Sequence, residues 1–452
     1  MKKSSILAGV VVLAMGWSSL PAISLAAQDE PNEEVLALII EFVQDADRET
    51  RAIGLQQIRE ELPGEKVTQR LVQLFPELSA DAQVDLLDAL GDRGDVAARP
   101  LVLELLASDT QVLRLAAIRA VGAIGSADDV KVLAEKAGKG SDAEKAAATE
   151  ALVRLRGDAV NQAILATAAS AEPNVRIVLL GVLTGRNARE ALPQVKEAAA
   201  DPDAAVRSAA VKALRYLADK DDVPALIAIL EKAANDDERY TAELALLTIC
   251  SRVGDASTEA LIAGVTDADS TAQLSLLRAL ARVGNEAAMQ QTVALASDGD
   301  PAVQDEAVRM LANWKDNAVV ETLLELAKSS DRPNHRVLAL RGLVRLAAPC
   351  GDQSGDIELL KQVMHLSKRV DERRLALGAV SGMSTADALD FAVDGLQLPD
   401  LSDEAALAVV GIAAKMDEAH KEKSSAAVKQ ALGVIKNEVL RQRANEILTS
   451  KK

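Results

Sequence analysis

From Val206 the apolar side chains fall at Val206, Ala210, Ala213, Leu214 and Leu217. Those offsets trace one face of a helix at 3.6 residues per turn, with no trace of the period of two that a strand would show. A short polar stretch follows, and a second apolar segment, Val223–Ala233, predicts a second helix. The same sentence of residues returns as Leu113–Val121 and as His335–Leu343. Aligned on Leu214, the equivalent positions are Ile58, Leu90, Val121, Leu152, Leu183, Leu214, Cys250, Leu280, Leu311, Leu343, Val380, Ile412 and Leu448, all apolar. Their commonest spacing is 31 residues, stretched to 36 or 37 before Cys250, Val380 and Leu448. A fixed period of this length is the mark of a stacked repeat, in which neighbours bury what one hairpin alone cannot.

Four residues before the anchor the side chain is usually small: Ala at eight of the thirteen units. Small residues there let helices approach closely, so the core is expected to be Ala, Leu and Val packing. Proline punctuates the array. Pro100, Pro193 and Pro224 fall in the first turn of second helices, where the missing N–H costs nothing, and Pro173, Pro301 and Pro333 fall two residues ahead of first helices. Val319–Ala327 and Ile357–Leu366 are further second helices.

An Asp-rich turn followed by Val-Arg and then Ala-x-x-Ala-Leu, seen whole in Asp201–Leu214, resembles the short HEAT-type repeats of phycobiliprotein lyases and deoxyhypusine hydroxylases. The resemblance covers roughly residues 45–452. It implies an all-α fold, a right-handed α-α superhelix of about twelve helical hairpins. It also implies a structural role for the recurring Arg51, Arg114, Arg176, Arg207, Arg336, Arg373 and Arg441 (Lys145 in one unit), pairing with turn aspartates between adjacent repeats. The series is interrupted at Gln83, Glu243, Gln273, Gln304 and Ala405. The organisation expected is a signal peptide over 1–27, a lead-in helix over 28–44, the repeat solenoid over 45–436 and a C-terminal capping helix over 437–452.

The first segment stands apart. Lys2 and Lys3 precede an apolar run from Ile6 to Trp17, and Ser24-Leu25-Ala26-Ala27 ends it in small residues. That is the layout of a cleavable secretory signal, cut near Ala26 or Ala27. Its apolar centre is short of the ~20 residues that span a bilayer, and no cysteine follows for a lipid anchor. The mature chain is therefore expected to be exported, periplasmic or secreted, with no membrane insertion and with a net charge moved from -17 to about -19.

With 68 acidic against 51 basic residues and only seven aromatics, nucleic acid is not an expected partner, because phosphate recognition needs a basic surface and base stacking needs rings. His335, His365 and His420 are too scattered for a metal site, and no His-Glu dipeptide is present. The iron site of the hydroxylases therefore does not carry over. Nucleophile elbows, phosphate loops and dinucleotide-binding glycine patterns are missing from the sequence. Cys250 and Cys350 lie about three repeats apart, too far for a disulfide; Cys250 reads as core. Arg93-Gly94-Asp95 falls in an ordinary Gly/Asp turn, and the Asp-rich turns suit helix caps better than calcium.

The function expected is that of an exported, monomeric, non-catalytic scaffold, without cofactor, that binds a protein or peptide partner. A lyase-type enzyme and an envelope structural protein are the alternatives. The partner is expected on the face of the second helices, towards the C-terminal half. There the longer units insert residues, expected as loops, and there Asp387, Asp390 and Asp394 line one side of a helix that could meet a basic partner.

Overall fold

The computed structural model describes residues 33–450, apart from 61, 63, 298 and 350–354. The segment over 1–27 expected as a signal peptide, Cys350 and most of the Gly/Asp/Ser stretch that follows it lie outside the described residues. Helices account for nearly all regular structure, with no strand among the described residues.

The chain divides into two compact units, at Ala191/Leu192. The first contains α1 (Glu33–Gln44), α2 (Arg48–Glu60), α3 (Glu65–Leu74), α4 (Ala80–Arg93), α5 (Arg99–Leu105), α6 (Gln111–Ile124), α7 (Val130–Lys139), α8 (Asp142–Arg154), α9 (Val160–Ser170) and α10 (Pro173–Gly185). The second begins with α11 (Leu192–Ala198), α12 (Ala204–Leu217), α13 (Val223–Glu231), α14 (Asp236–Val253), α15 (Thr258–Asp267), α16 (Ser270–Val283), α17 (Glu286–Ser297) and α18 (Pro301–Ala312). It continues through α19 (Val320–Ser329), α20 (Pro333–Ala347), α21 (Ile357–Leu366), α22 (Val370–Val380), α23 (Ala386–Gly395), α24 (Ser402–Ala413), α25 (Lys421–Leu432) and α26 (Glu438–Ser450). Even-numbered helices are the first helices of the repeats and, within each unit, pack on one another; odd-numbered helices from α3 onward are the second helices.

Each first helix starts ten residues before its anchor, with one exception: α14 starts fourteen before Cys250. The starts are chemically specified. Ser79, Ser141, Asp203, Asn235, Asp269 and Asp300 each accept a hydrogen bond from a backbone N–H of the first turn, a cap typically worth about 1 kcal/mol. Pro173, Pro301 and Pro333 are the first residues of α10, α18 and α20, not residues ahead of them. Their fixed φ suits that position.

Twelve of the thirteen anchors are buried, Ile58, Leu90, Leu152, Cys250, Leu280 and Leu343 completely. Leu448 is half-exposed and Ile447 is buried in its place. No further helix among the described residues covers α26, so its apolar stripe meets packing on one flank only. The small positions bring backbones together. A Cβ on Gly122 would stand 2.7 Å from the Ala151 Cα, and one on Gly342 would stand 2.9 Å from the Ala312 Cα. First helices of neighbouring repeats thus touch nearly backbone to backbone, which is how a core with three buried rings, Phe75, Trp314 and Phe391, closes without voids.

Candidate functional site

The recurring arginine does have a structural role, but its partners differ from those expected. Arg114 Nη1 donates to the carbonyls of Ser108 (2.8 Å) and Asp109 (3.0 Å), while its Nε donates to Glu144 of the next repeat at 2.7 Å. Arg207 repeats this, with the carbonyls of Asp201 and Pro202 and the carboxylate of Glu238. Arg51 reaches the Asp45 carbonyl and Asp85. Arg336, Arg373 and Arg441 each donate to the carbonyl six residues back. The side chain therefore ties down the turn that precedes its own helix. The carboxylate partners of Arg51, Arg114 and Arg207 sit on the next first helix instead of in a turn, and that of Arg441 on its own helix. The interruptions keep the task in three units: Gln83, Gln273 and Gln304 donate to the carbonyls of Phe75, Val265 and Gly299.

Turn aspartates are engaged otherwise. Asp129 and Asp222 close capping boxes and take Arg99 and Lys196 from the preceding second helix.

A second cationic series went unread in the sequence. Arg186 Nη1 donates to the carbonyls of Leu152, Val153 and Leu155, at 2.7–3.0 Å, in the repeat before it. Arg345 donates to those of Ala312 and Trp314, Arg252 to those of Arg215 and Ala218, and Lys415 to those of Ser381 and Gly382. These are the carbonyls a helix leaves unpaired at its C-terminus. Burial pulls the Arg186 and Arg345 guanidiniums below the usual arginine range. The signal was present as a basic residue two or three places beyond the anchor. Arg93 belongs here too: it bonds the carbonyls of Ile58, Leu62 and Gly64, so the Arg93-Gly94-Asp95 tripeptide offers no free guanidinium.

What these ties leave open is a groove of about 570 Å³ between the hairpins α11–α12 and α13–α14, all within the second unit. Ala199, Ser208, Ala225, Ala228, Ile229 and Ala233 line it and are half-buried. That floor is mostly apolar and short, and the longer polar side chains Lys196, Arg207, Lys232 and Glu238 stand around it. One wall comes from α14. The extra residues between Leu214 and Cys250 do not form a loop; they extend α14 by a turn at its N-terminus, where Asn235 caps it and Asp236, Asp237 and Glu238 suit the helix dipole. Glu238 of that extension and Thr241 just beyond it face the groove. The Arg207 guanidinium holds the Glu238 carboxyl below the usual range, fixing that wall as an ion pair. Lys232 stands on the rim, exposed. Tyr240, directly after the extra turn, is 62% exposed.

Asp387, Asp390 and Asp394 all lie on α23 and are exposed. Asp390 binds Lys423 at 2.6 Å. Lys361 is raised, chiefly by its bond to Glu358 and with smaller contributions from Asp387 and Asp390. The three do share a face, and α25 answers part of its charge. Among the histidines, His335 is buried against Asp305, His365 is exposed, and His420 is half-buried beside Asp417. Cys250 is fully buried, and burial pushes its thiol up. No described helix is long and apolar enough to cross a membrane.

A stack of helical hairpins with backbone-tight first helices and capped Asp turns defines a repeat solenoid of the HEAT class. The chain belongs to that family: the model for HEAT repeats matches residues 68–153, 161–247, 258–344 and 290–376, more than half of its 452 residues. No curated protein matches its sequence. Among solved structures it is similar to Kap121p (13% identity, TM-score 0.46, over 98% of this chain and 56% of that one). It is similar to Kap121p bound to Nup53p (11%, 0.48, over 93% and 54%). It is also similar to a Kap95p complex with RanGDP (13%, 0.47, over 94% and 67%). The chain thus spans little more than half the length of the Kap121p structures.

Proposed function

We propose that this protein is a non-catalytic, monomeric scaffold that holds an apolar segment of another protein in the groove between α11–α12 and α13–α14. The carrying observation is the groove itself: an alanine-floored cleft walled by the one first helix that breaks the start rule of the array. A floor of Ala side chains leaves room for a partner's larger apolar side chains. Each Leu or Val buried there contributes roughly 1.5–3 kcal/mol. Ala228→Trp fills the cleft from a half-buried position, so it removes partner binding while leaving the melting temperature within a degree or two. A partner that still binds Ala228→Trp with unchanged affinity contradicts the reading.

The proposal includes export, on the strength of Lys2, Lys3 and the apolar run Ile6 to Trp17. N-terminal sequencing of protein from the native host tests it: a mature chain starting near Ala27 or Gln28 supports export, and one starting at Met1 or Lys2 refutes it. The Asp387, Asp390 and Asp394 face is a second candidate contact, for a basic partner. Reversing the three charges would abolish such binding, and unchanged binding with unchanged salt dependence dismisses that face.

A further inference from the structure

On the side of the second unit formed by its first helices, a cleft of about 340 Å³ lies between α18, α20 and the start of α22. Its lining is unusual for a chain of net charge -17: the guanidiniums of Arg309, Arg341 and Arg369 surround a single carboxylate, Asp305. That carboxylate is already engaged, by His335 Nε2 at 2.6 Å and by Arg332 Nη1 at 2.8 Å. Arg309 pairs only with Glu306 on its own helix, and Glu306 also takes Arg278 from the preceding first helix. Arg369 is 60% exposed and pairs with the equally exposed Asp371 and, at 3.8 Å, with the buried Glu372 of α22. Arg341 is exposed and has no acidic partner among the described residues. Asn334 adds an amide to the same lining. Among the described residues Arg341 is the cation of this lining that has no carboxylate partner, and Arg309 shares its own, Glu306, with Arg278.

The placement of the arginines indicates what would answer them. Arg309 and Arg341 occupy the same place in successive repeats, each two residues before its anchor, Leu311 and Leu343. Packed helices stand about 8–10 Å apart. An extended chain of the polyproline-II type rises about 3.1 Å per residue with three residues per turn, so carboxylates three residues apart share one side of it and match that step. A helix, about 10 Å across, is too broad to enter a cleft of this volume. We infer that this cleft is a docking site for an extended acidic segment of a partner protein, with carboxylates three residues apart set against Arg309 and Arg341. This site is separate from the alanine-lined groove and does not depend on its having an occupant.

The test is fluorescence anisotropy on the full chain, with a labelled peptide carrying three Glu residues spaced three apart in a Gly/Ser background. Its Gln counterpart is the comparison. An ionic strength of about 0.1 M screens the remote carboxylates of the protein beyond ~10 Å and leaves the cleft's own field. The site predicts binding of the Glu peptide and not of the Gln peptide. Arg341→Ala weakens it about three- to fivefold, as for an exposed ion pair, and Arg341→Glu weakens it further. Lys212→Ala, at the equivalent place before Leu214, leaves binding unchanged, and so does Ala228→Trp. Equal binding of the Glu and Gln peptides, no binding of either, or indifference to Arg341→Glu overturns the inference. Two further outcomes also overturn it: inorganic phosphate binding with the same Arg341 dependence while the peptide does not bind, which makes the cleft a free-anion site, or a helical peptide with Glu seven apart binding as well as the extended one.

Discussion

The tie between Arg114 and Glu144 joins two repeats of the first unit, and removing its charge has a calculable consequence. One Glu144 oxygen accepts from Arg114 Nε at 2.7 Å, and the other accepts from the Ser141 backbone N–H at 2.9 Å and from its hydroxyl at 2.8 Å. The side chain is 8% exposed. These donors, Arg114 first, bring the carboxyl from 4.5 down to about 2. At 1.36 kcal/mol per unit, the ionised form is favoured in the folded chain by up to about 3 kcal/mol. Because the folded value is depressed, that stabilisation is fully present above pH 4.5 or so and is lost as the pH falls towards 2.

Glu144→Gln keeps the shape and one acceptor but loses the charge, and should cost about 2 kcal/mol at pH 7. Arg114 would remain held by the carbonyls of Ser108 and Asp109, so Arg114→Ala, which also frees that turn, should cost more. A repeat array opens locally. The assay is therefore hydrogen exchange of α6 to α8 at pH 7 and pH 3, alongside urea unfolding. The prediction is faster exchange confined to this segment in Glu144→Gln, and a gap from the parent protein that narrows in acid. A variant with parental exchange at pH 7, or a gap that widens at pH 3, would refute the electrostatic reasoning.

Two further perturbations probe the packing. Gly122→Ala places a Cβ against the Ala151 backbone and should destabilise the first unit by roughly 1–3 kcal/mol, whereas Gly181→Ala, with open space around it, should not; the melting curves of the two decide. Arg186→Ala leaves three carbonyls of the preceding repeat without their donor and should cost about 2 kcal/mol, with exchange rising at the C-terminal end of α8. Unchanged exchange there would mean that water replaces the guanidinium without loss.

The repeat, its helices and its core were legible because burial imposes a periodicity that sequence records directly. Val121, Leu214 and Leu343 align by count and are all buried. Partners of the arginine series were not legible. Arg114, Arg207 and Arg336 bond backbone carbonyls, which every residue possesses and no residue type announces. The groove was missed for another reason. Five extra residues before Cys250 can form a loop or lengthen a helix, and the length of the gap alone does not choose between them. Asn235 followed by Asp236, Asp237 and Glu238 is a helix start by its chemistry, and reading it as such would have placed the wall of the groove. Leu448 was assigned by count alone, and the count cannot register that no described helix stacks beyond it.

The claim that the alanine-lined groove is where a partner is held is tested most directly by site-specific photo-crosslinking in the native host. A benzophenone side chain in place of Ile229, on the groove floor, is compared with one in place of Lys212, which lies outside it. Mass spectrometry then locates the crosslinked residues. The account predicts that position 229 captures one contiguous apolar segment of a single protein, that position 212 does not, and that adding Ala228→Trp abolishes the capture. Crosslinks of equal yield from both positions, or capture from position 229 that survives Ala228→Trp, would contradict it.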